Sequence, residues 1–436
     1  MVSGRVVQGD PARRAEQADA TSPSGRSLRG LDSVNFLMAD VRDGVGPYIS
    51  VFLAGRDWQA GPIGIALAAS NIAAALFQIP AGLMVDSLRI KRALIAAAAL
   101  LVGLGCVLIV FYPSFWTVIA AQSVLGAASA VIPPAIAALS LGIVGRRLLP
   151  GRVSRNESFN HLGSFAAAAL AGVLGTWLGV QYVFYLVAMF AAASAAAVLL
   201  INPAEVDREL ARGGEGAENA GEPIPFRQLL ANRSILVFIA SVALFHFGNA
   251  AMLPMAGQVM AESYPDLATA ALSACIIAAQ LVMVGVAWGV GRAMQRGIGR
   301  KPIFLVALAI LPVRGVLFSL TDNPYAVVAI QLLDGVAAGI FGVIAVVIAS
   351  DLTKGTGRFN LVQGLTALAT GVGAAASNLL AGYVVQGFGF TVGFLTLAAI
   401  AACALAFFAL LMPETGTGET GDEGESGGAV PATSAV

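Results

Sequence analysis

The sequence predicts an all-α integral membrane protein of twelve transmembrane helices, arranged as two six-helix halves around a central cavity. Three observations lead there. Of 436 residues, 58% are hydrophobic and only 11% are charged, whereas soluble domains carry about a quarter of their residues charged. Continuous apolar runs recur along the chain at roughly the 20-residue length that a membrane helix needs. The basic residues fall almost entirely into alternate gaps between those runs, the asymmetry that sets orientation in a bilayer. This composition excludes a nucleic-acid binder, a secreted domain and a single-span receptor.

Taken in order, residues 1–32 are polar, contain no apolar core of a cleavable signal, and are expected on the cytoplasmic side. The first apolar segment therefore inserts and stays. Apolar segments follow at 33–54, 61–84, 91–111, 115–141, 157–178 and 180–201, making an N-terminal half over 33–201. A charged stretch at 202–232, with Gly213, Gly214, Glu215, Glu218 and Glu222, is expected to be a flexible cytoplasmic linker without a site. Six more segments, at 233–256, 266–291, 301–320, 325–349, 359–386 and 388–411, make a C-terminal half over 233–411. The tail at 412–436 is acidic, rich in glycine, serine and threonine, and expected to be loosely held. Strands do not explain these segments, because a membrane barrel alternates apolar and polar residues.

With both termini in the cytoplasm, 22 of the 25 lysines and arginines lie on the inside. Arg42 and Arg314 fall within apolar segments, and Arg56 lies in an outside loop. The expected location is thus the cytoplasmic (inner) membrane, and 22 arginines against 3 lysines, with abundant alanine, suggest a GC-rich bacterial genome. Cys106, Cys275 and Cys403 sit in apolar runs without metal-ligand spacing, so each is expected to be a small buried hydrophobe. No metal and no cofactor is expected. Glycines such as Gly126, Gly335, Gly371 and Gly373 lie in apolar segments rather than after a strand, which disfavours a nucleotide site and favours close helix packing.

The chain repeats itself. Gln122-x-x-Leu125-Gly126 answers Gln331-x-x-Asp334-Gly335 at an offset of 209, and Lys91-Arg92 answers Arg300-Lys301 at the same offset. Asp40-x-x-Asp43 answers His246-x-x-Asn249 at an offset of 206, and a proline follows each, Pro47 and Pro254. Duplicated halves enclosing a cavity and rocking against each other are the architecture of alternating access.

Within that frame, Asp40-Val41-Arg42-Asp43 lies about ten residues into the first segment, roughly 15 Å from the membrane edge. Ionisable groups at that depth are costly and point to function. On a helix Asp40 and Asp43 share one face, while Arg42 lies nearly opposite Asp40 and shares a face with Asn35. Asp40, Asp43 and His246 are expected to handle protons, since desolvated carboxylates shift toward the range in which histidine titrates. The competing reading of His246 is a neutral imidazole bonded to a backbone carbonyl. Asn35, Arg42, Asn249, Gln122, Gln331, Asp334 and Arg314 are expected to line the substrate cavity. Arg314 and Asp334 are also placed to meet as a salt bridge. His161 is expected at the interface.

Pro80-Ala81-Gly82-x-x-x-Asp86, ending in Lys91-Arg92, resembles the loop signature of the major facilitator superfamily, and Gly291 through Gly299-Arg300-Lys301-Pro302 resembles its second copy. The sequence departs from the family pattern at Ser87, Arg89 and Gln295, at Gln122 where proton-coupled members often have arginine, and at Val173 where the antiporter signature has proline. The resemblance implies the major facilitator fold and a secondary transporter, not an enzyme, that moves a small organic solute through the lipid bilayer as a monomer. Proton coupling is expected from Asp40, Asp43 and His246 rather than from the resemblance, which instead implies a gating loop built from Gly82, Asp86, Lys91, Arg92, Arg300 and Lys301. Gly163 and Gly172 keep the antiporter spacing, which favours export. The aspartates suggest a cationic or neutral amphipathic substrate. Arg42 and Arg314 leave uptake or facilitated transport of an organic anion or siderophore as an alternative. A non-transporting membrane sensor with the same fold is the rival from another class.

Overall fold

The computed structural model describes residues 23–43, 45–88, 90–207, 227, 229, 231–354, 356 and 358–415, and the side chains at 40, 42, 43, 86, 146, 147, 150, 154 and 360 lie outside the described set. Among the described residues all regular structure is helical. The first part of the chain forms α1 (Gly25–Asp43), α2 (Tyr48–Ala54), α3 (Ala60–Ser87), α4 (Lys91–Phe111), α5 (Phe115–Trp177) and α6 (Gln181–Val198). After the 202–232 stretch come α7 (Arg233–Asn249), α8 (Met252–Ser263), α9 (Pro265–Gln295), α10 (Arg300–Phe318), α11 (Pro324–Leu352) and α12 (Phe359–Leu411). Some starts are capped by a side chain: Asn232 accepts from the Ser234 and Ile235 backbone N–H groups ahead of α7, and Asn323 does the same for Tyr325 and Ala326 ahead of α11.

Nine stretches among the described residues are long and apolar enough to cross a membrane. Two elements are too long for a single crossing. α5 has 63 residues and α12 has 53, about 95 and 80 Å of helix against a hydrocarbon core of about 30 Å. Each is interrupted by one glycine, Gly145 at φ 71° and ψ 169° and Gly389 at φ 84° and ψ 169°, a conformation essentially confined to glycine. The outer surface is apolar, with Leu76 68% and Leu410 82% exposed. In a bilayer such residues face lipid and need no protein partner.

Several boundaries differ from those expected. The first segment starts earlier, at Gly25, and is broken between Asp43 and Tyr48. The helix expected at 157–178 begins directly after Gly145. The segment expected at 233–256 breaks after Asn249 and runs on to Ser263. Cys106 and Cys275 are buried as expected, but Cys403 is exposed, because α12 turns that position outward.

The internal repeat has a packing counterpart. The Ser70 carbonyl occupies the space of a Cβ on Gly126, and the Ala279 carbonyl does so at Gly335, so both partners of the contact recur 209 residues on. Gly163 packs on Phe36 and Ala39, and Gly373 on Ala243 and His246. The partner offset in this second pair is 207, the spacing of Pro47 and Pro254. It sets Arg42 opposite Asn249 and Ala39 opposite His246, which corrects the pairing of Asp40 with His246.

Buried apolar side chains form two clusters. One joins α1 through α6 to Met252, Met255, Met260, Leu272, Cys275, Phe394 and Leu397 from the second part of the chain. The other is confined to that second part, around Phe238, Phe245, Phe304, Leu311, Ile344 and Phe408. Contacts between the two parts run through α3 on α12, α5 on α9 and α2 on α8. They include hydrogen bonds from Gln386 Nε2 to Gln59 Oε1 at 2.7 Å and from the Gly61 N–H to Gln386 Oε1 at 3.1 Å.

Candidate functional site

The two helix breaks build the site. In the first, Gly44-Val45-Gly46-Pro47 stops α1, since Pro47 disfavours helical geometry in the residue before it and Gly46 takes a φ of 44°. In the second, Ala250 and Ala251 separate α7 from α8, the Ala251 N–H donates to Ser377 Oγ of α12 at 3.0 Å, and Pro254 sits in the first turn of α8. Irregular backbone at membrane depth is tolerated only where protein or a cavity satisfies it.

A cavity of about 210 Å³ opens between the breaks, lined by Val45, Gly46, Ala250 and Pro254, by Ser70 and Asn71 of α3, by Gln122 and Ser129 of α5, and by Asn378 of α12. Gln122 therefore stands where the sequence placed it. It is 4% exposed and has no hydrogen-bond partner among the described residues. Asn378 Oδ1 is likewise buried without a partner. A second cavity of about 160 Å³ shares Val45 and Gly46 and adds Tyr48, Leu253 and Gln280. Gln280 Oε1 is also buried and unpartnered, and the Tyr48 hydroxyl lies 2.8 Å from Ser273 Oγ, joining α2 to α9. Asn71, Asn378 and Gln280 were missed in the sequence, where a lone carboxamide in an apolar run carries no signal of which way it faces.

Asp40, Arg42 and Asp43 occupy the last turn of α1, directly before the first break, and their side chains lie outside the described residues. Five of the residues expected in the cavity, Asn35, Arg314, Gln331, Asp334 and Asn249, are absent from its lining. Asn35 is buried and spends its Nδ2 on the Leu31 carbonyl at 2.8 Å, because a helical carboxamide readily bonds one turn back. Arg314 and Gln331 are 1% and 0% exposed and belong to a closed polar cluster. Arg314 Nη1 donates to Asp334 Oδ1 at 2.7 Å and to Asn249 Oδ1, Nη2 donates to Gln331 Oε1 at 2.9 Å, and Gln331 Nε2 donates to Asp334 Oδ2 at 2.9 Å. The guanidinium also lies 5.2 Å from the Phe318 ring centroid. Cluster formation explains the shift: a desolvated guanidinium is tolerable only with an anion and further acceptors around it. Asn249, expected in the cavity, is thereby held at the end of α7.

His246 adopts the second of the two arrangements weighed for it. Its Nδ1 lies 2.9 Å from the Val242 carbonyl, and Phe245 and Phe341 meet the ring edge-on. His161 is exposed on α5.

At the expected gating loops, Lys91 is buried with Nζ donating to the Val85 carbonyl at 2.9 Å, and Arg92 Nε donates to the Val198 carbonyl at 3.2 Å. No neighbour lies within 4 Å of a Cβ added at Gly82, and the Asp86 side chain lies outside the described residues. Arg300 Nε donates to Asp351 Oδ2 at 3.1 Å, while Glu414 accepts from the backbone N–H groups of Arg300 at 2.8 Å and Lys301 at 3.1 Å. Glu414 thus caps α10, and the first residues of the tail are held rather than loose. Glu205 does the same at the far end of the first half, accepting from the Ser24 N–H and hydroxyl, both at 3.0 Å. Asp32, also unforeseen, takes Arg152 at 2.5 Å and Arg155 at 2.8 Å. One signal was available: Glu205 and Glu414 stand 209 residues apart, the offset of the repeat.

Comparisons with known proteins agree with this architecture. A family model described as Major Facilitator Superfamily matches residues 31–311 and 289–435. The chain is 44% identical over 393 residues, 89% of its length and 94% of the relative's, to an uncharacterized MFS-type transporter found in two strains of Mycobacterium tuberculosis, CDC 1551 / Oshkosh and H37Rv. Among solved structures, the nucleoside transporter NupG superposes with a TM-score of 0.65 at 14% identity, covering 88% of this chain and 99% of that one. A bacterial homolog of the human lysosomal transporter Spinster, in an inward-facing and occupied conformation, gives 0.66 at 12% identity, covering 92% and 97%. A POT family transporter in complex with a thioalcohol conjugated peptide gives 0.70 at 11% identity, covering 88% and 95%.

Proposed function

The chain belongs to the major facilitator superfamily of membrane transporters, and from that premise we propose that it exports a small organic solute by alternating access, coupled to protons. The observation that carries this reading is the cavity at the two helix breaks, framed by elements of both parts of the chain. A site at the junction of two rocking units is exposed to one side at a time.

Counting the broken pairs α1–α2 and α7–α8 as single passes, and the kinked α5 and α12 as two passes each, gives twelve crossings in two sixes. The distribution of basic residues supports cytoplasmic termini. On that orientation the contacts by which Met252, Met255 and Met260 of the second part join the shared apolar cluster lie toward the outer face, with α2, α8, Gln59 and Gln386. The conformation is then sealed outside and opens inward. Asp40 and Asp43, one turn from the cavity wall, are the proton carriers in this reading. His246, with its Nδ1 engaged, retains Nε2 for a proton. Asp86 and the basic residues of the loops act as the cytoplasmic gate.

The test is flux. In sealed everted vesicles energised by a proton gradient, the wild type should collapse the gradient when its solute is added from a library split by charge. Asp40→Asn together with Asp43→Asn should abolish that response with membrane insertion unchanged. Ligand binding without flux would leave a sensor in place of a transporter, and full activity of the double variant would remove the proton assignment.

A further inference from the structure

We infer that the cavity between the helix breaks takes a small, uncharged, hydroxyl-rich solute of the polyol or monosaccharide class. This deepens the transporter reading above and rests on it. Three carboxamides from three helices meet at the cavity: Asn71 on α3, Gln122 on α5 and Asn378 on α12. Their hydrogen-bonding capacity is unevenly spent. Asn71 Nδ2 donates to the Leu67 carbonyl at 3.0 Å and Asn378 Nδ2 to the Ala374 carbonyl at 2.9 Å. Each asparagine thus consumes a donor on its own helix and keeps its carbonyl oxygen for the cavity. For Asn378 that oxygen is buried without a partner, and the residue is 5% exposed. Gln122, 4% exposed, has both its oxygen and its amide nitrogen uncommitted among the described residues.

Orphaned buried carbonyls are costly unless a partner arrives. The complement of this wall is a molecule with at least two donors for the asparagine oxygens, and a donor and an acceptor together for Gln122. A hydroxyl group is both donor and acceptor, so a chain or ring of hydroxyls satisfies all three side chains. A carboxamide contributes a dipole and no counter-charge, so it does not offset the desolvation of an ion at this depth. Arg314, which is such an ion, is surrounded by Asp334, Asn249 and Gln331 instead.

Size agrees. A volume of about 210 Å³ equals roughly seven liquid-water volumes at about 30 Å³ each. The adjoining cavity of about 160 Å³ extends this toward the bulk of a six-carbon polyol.

The experiment uses purified full-length protein in detergent and a panel matched in skeleton. Erythritol, xylitol, sorbitol, myo-inositol and glucose are the neutral members; N-methylglucamine and gluconate carry the same skeleton with a positive and a negative charge. At least one neutral member should raise the unfolding temperature progressively as its concentration passes its Kd, with the logarithmic dependence of mass action, and the two charged members should not. Gln122→Leu and Asn378→Leu should each weaken that binding about tenfold, the loss of one hydrogen bond with its partner left unpaired. The unfolding temperatures of both variants without solute verify that they fold, and Asn378→Ser, which keeps a polar side chain, should recover part of the affinity. Protection by a charged member and by no neutral one, protection by none of the panel, or unchanged binding in both leucine variants overturns the inference. Uptake of the same solutes into proteoliposomes separates the two claims. Binding of a neutral member without flux refutes transport and leaves the chemistry of the cavity standing, whereas flux of a charged solute alone refutes the chemistry and leaves transport standing.

Discussion

Arg314 shows what a single residue contributes at membrane depth. The sequence located it and Asp334 at matching heights in neighbouring helices, and a meeting between them was foreseeable from helix rise alone. That Asn249 and Gln331 join the shell, while Arg314 Nε stays buried without a partner, was not, because it depends on how α7 rotates against α10 and α11. With three acceptors around one buried guanidinium, the cluster behaves as a unit. Removing the anion strands a cation in a low-dielectric interior, at a cost of roughly 3–5 kcal/mol. Asp334→Ala should therefore destabilise the protein by about that amount, and Arg314→Ala by a comparable amount. The double variant should lose less than the sum of the two, by at least about 1 kcal/mol. Denaturation of the four proteins in detergent completes the cycle, and additive losses would show that the cluster is not coupled. Asp32 differs in kind: Arg152 is buried with it, but Arg155 is 59% exposed, so the second ion pair adds little beyond solvated attraction.

At the scale of elements, the most informative sequence is Gly44-Val45-Gly46-Pro47, whose chemistry forbids a continuous helix and whose position makes the break a wall of the cavity. Hydropathy alone passes over it, since a windowed average sees only an apolar stretch. The interruptions at Gly145 and Gly389 are the opposite case: the apolar segments already part there, between 141 and 157 and at 387, but hydropathy does not reveal that helix runs up to both sides of a single glycine that carries the break. The capping carboxylates were hidden because 202–232 and 412–436 look disordered by composition, and composition does not reveal that the first residues of each fold back. Glu205 gives this scale its test. Burial pushes its carboxyl up, but the Ser24 N–H, the hydroxyls of Ser24 and Ser27, and Asn202 pull further the other way, leaving it below its ordinary value of 4.5. A carboxylate depressed in the folded state stabilises at pH values above the unfolded value, and that contribution disappears as pH falls through the folded one. Glu205→Gln should accordingly lower the unfolding temperature at pH 7 and match the wild type near pH 3. Equal melting of the two proteins at both pH values would reduce the contact to a solvated encounter.

For the whole molecule, the two apolar clusters are unequal in a way that matters. One crosses between the two parts of the chain and the other does not, so the seam on the Gln59 and Gln386 side must come apart for the cavity to open there. Gly61, Gly64 and Gly382 let α3 and α12 approach at backbone distance there, while Met252, Met255 and Phe394 join the two parts in the shared apolar cluster. A chemical bridge should arrest that separation. Gln59→Cys with Gln386→Cys, in a background where the exposed Cys403 is replaced by serine, joined by a short cleavable thiol cross-linker, should stop flux and regain it on cleavage. Undiminished flux in the bridged protein would mean that this seam does not open during the cycle. The repeated packing contacts at Gly126 and Gly335 were foreshadowed by the sequence repeat at Gln122 and Gln331 and by the two basic loops. The pairing of Asp40 with His246 was off by one residue, since packing contacts rather than residue likeness set the register between copies.

Glu205 has one more consequence, for the order in which the protein is made. It leaves the ribosome shortly after α6 and closes on Ser24, at the start of α1. The amide it caps has by then been synthesised, as have Asp32, Arg152 and Arg155. The first part of the chain can therefore fasten the start of α1 while the second part is still unwritten, whereas Glu414 closes on the start of α10 only when the chain is almost complete. Each of the two carboxylates ties down a helix start that was synthesised before it.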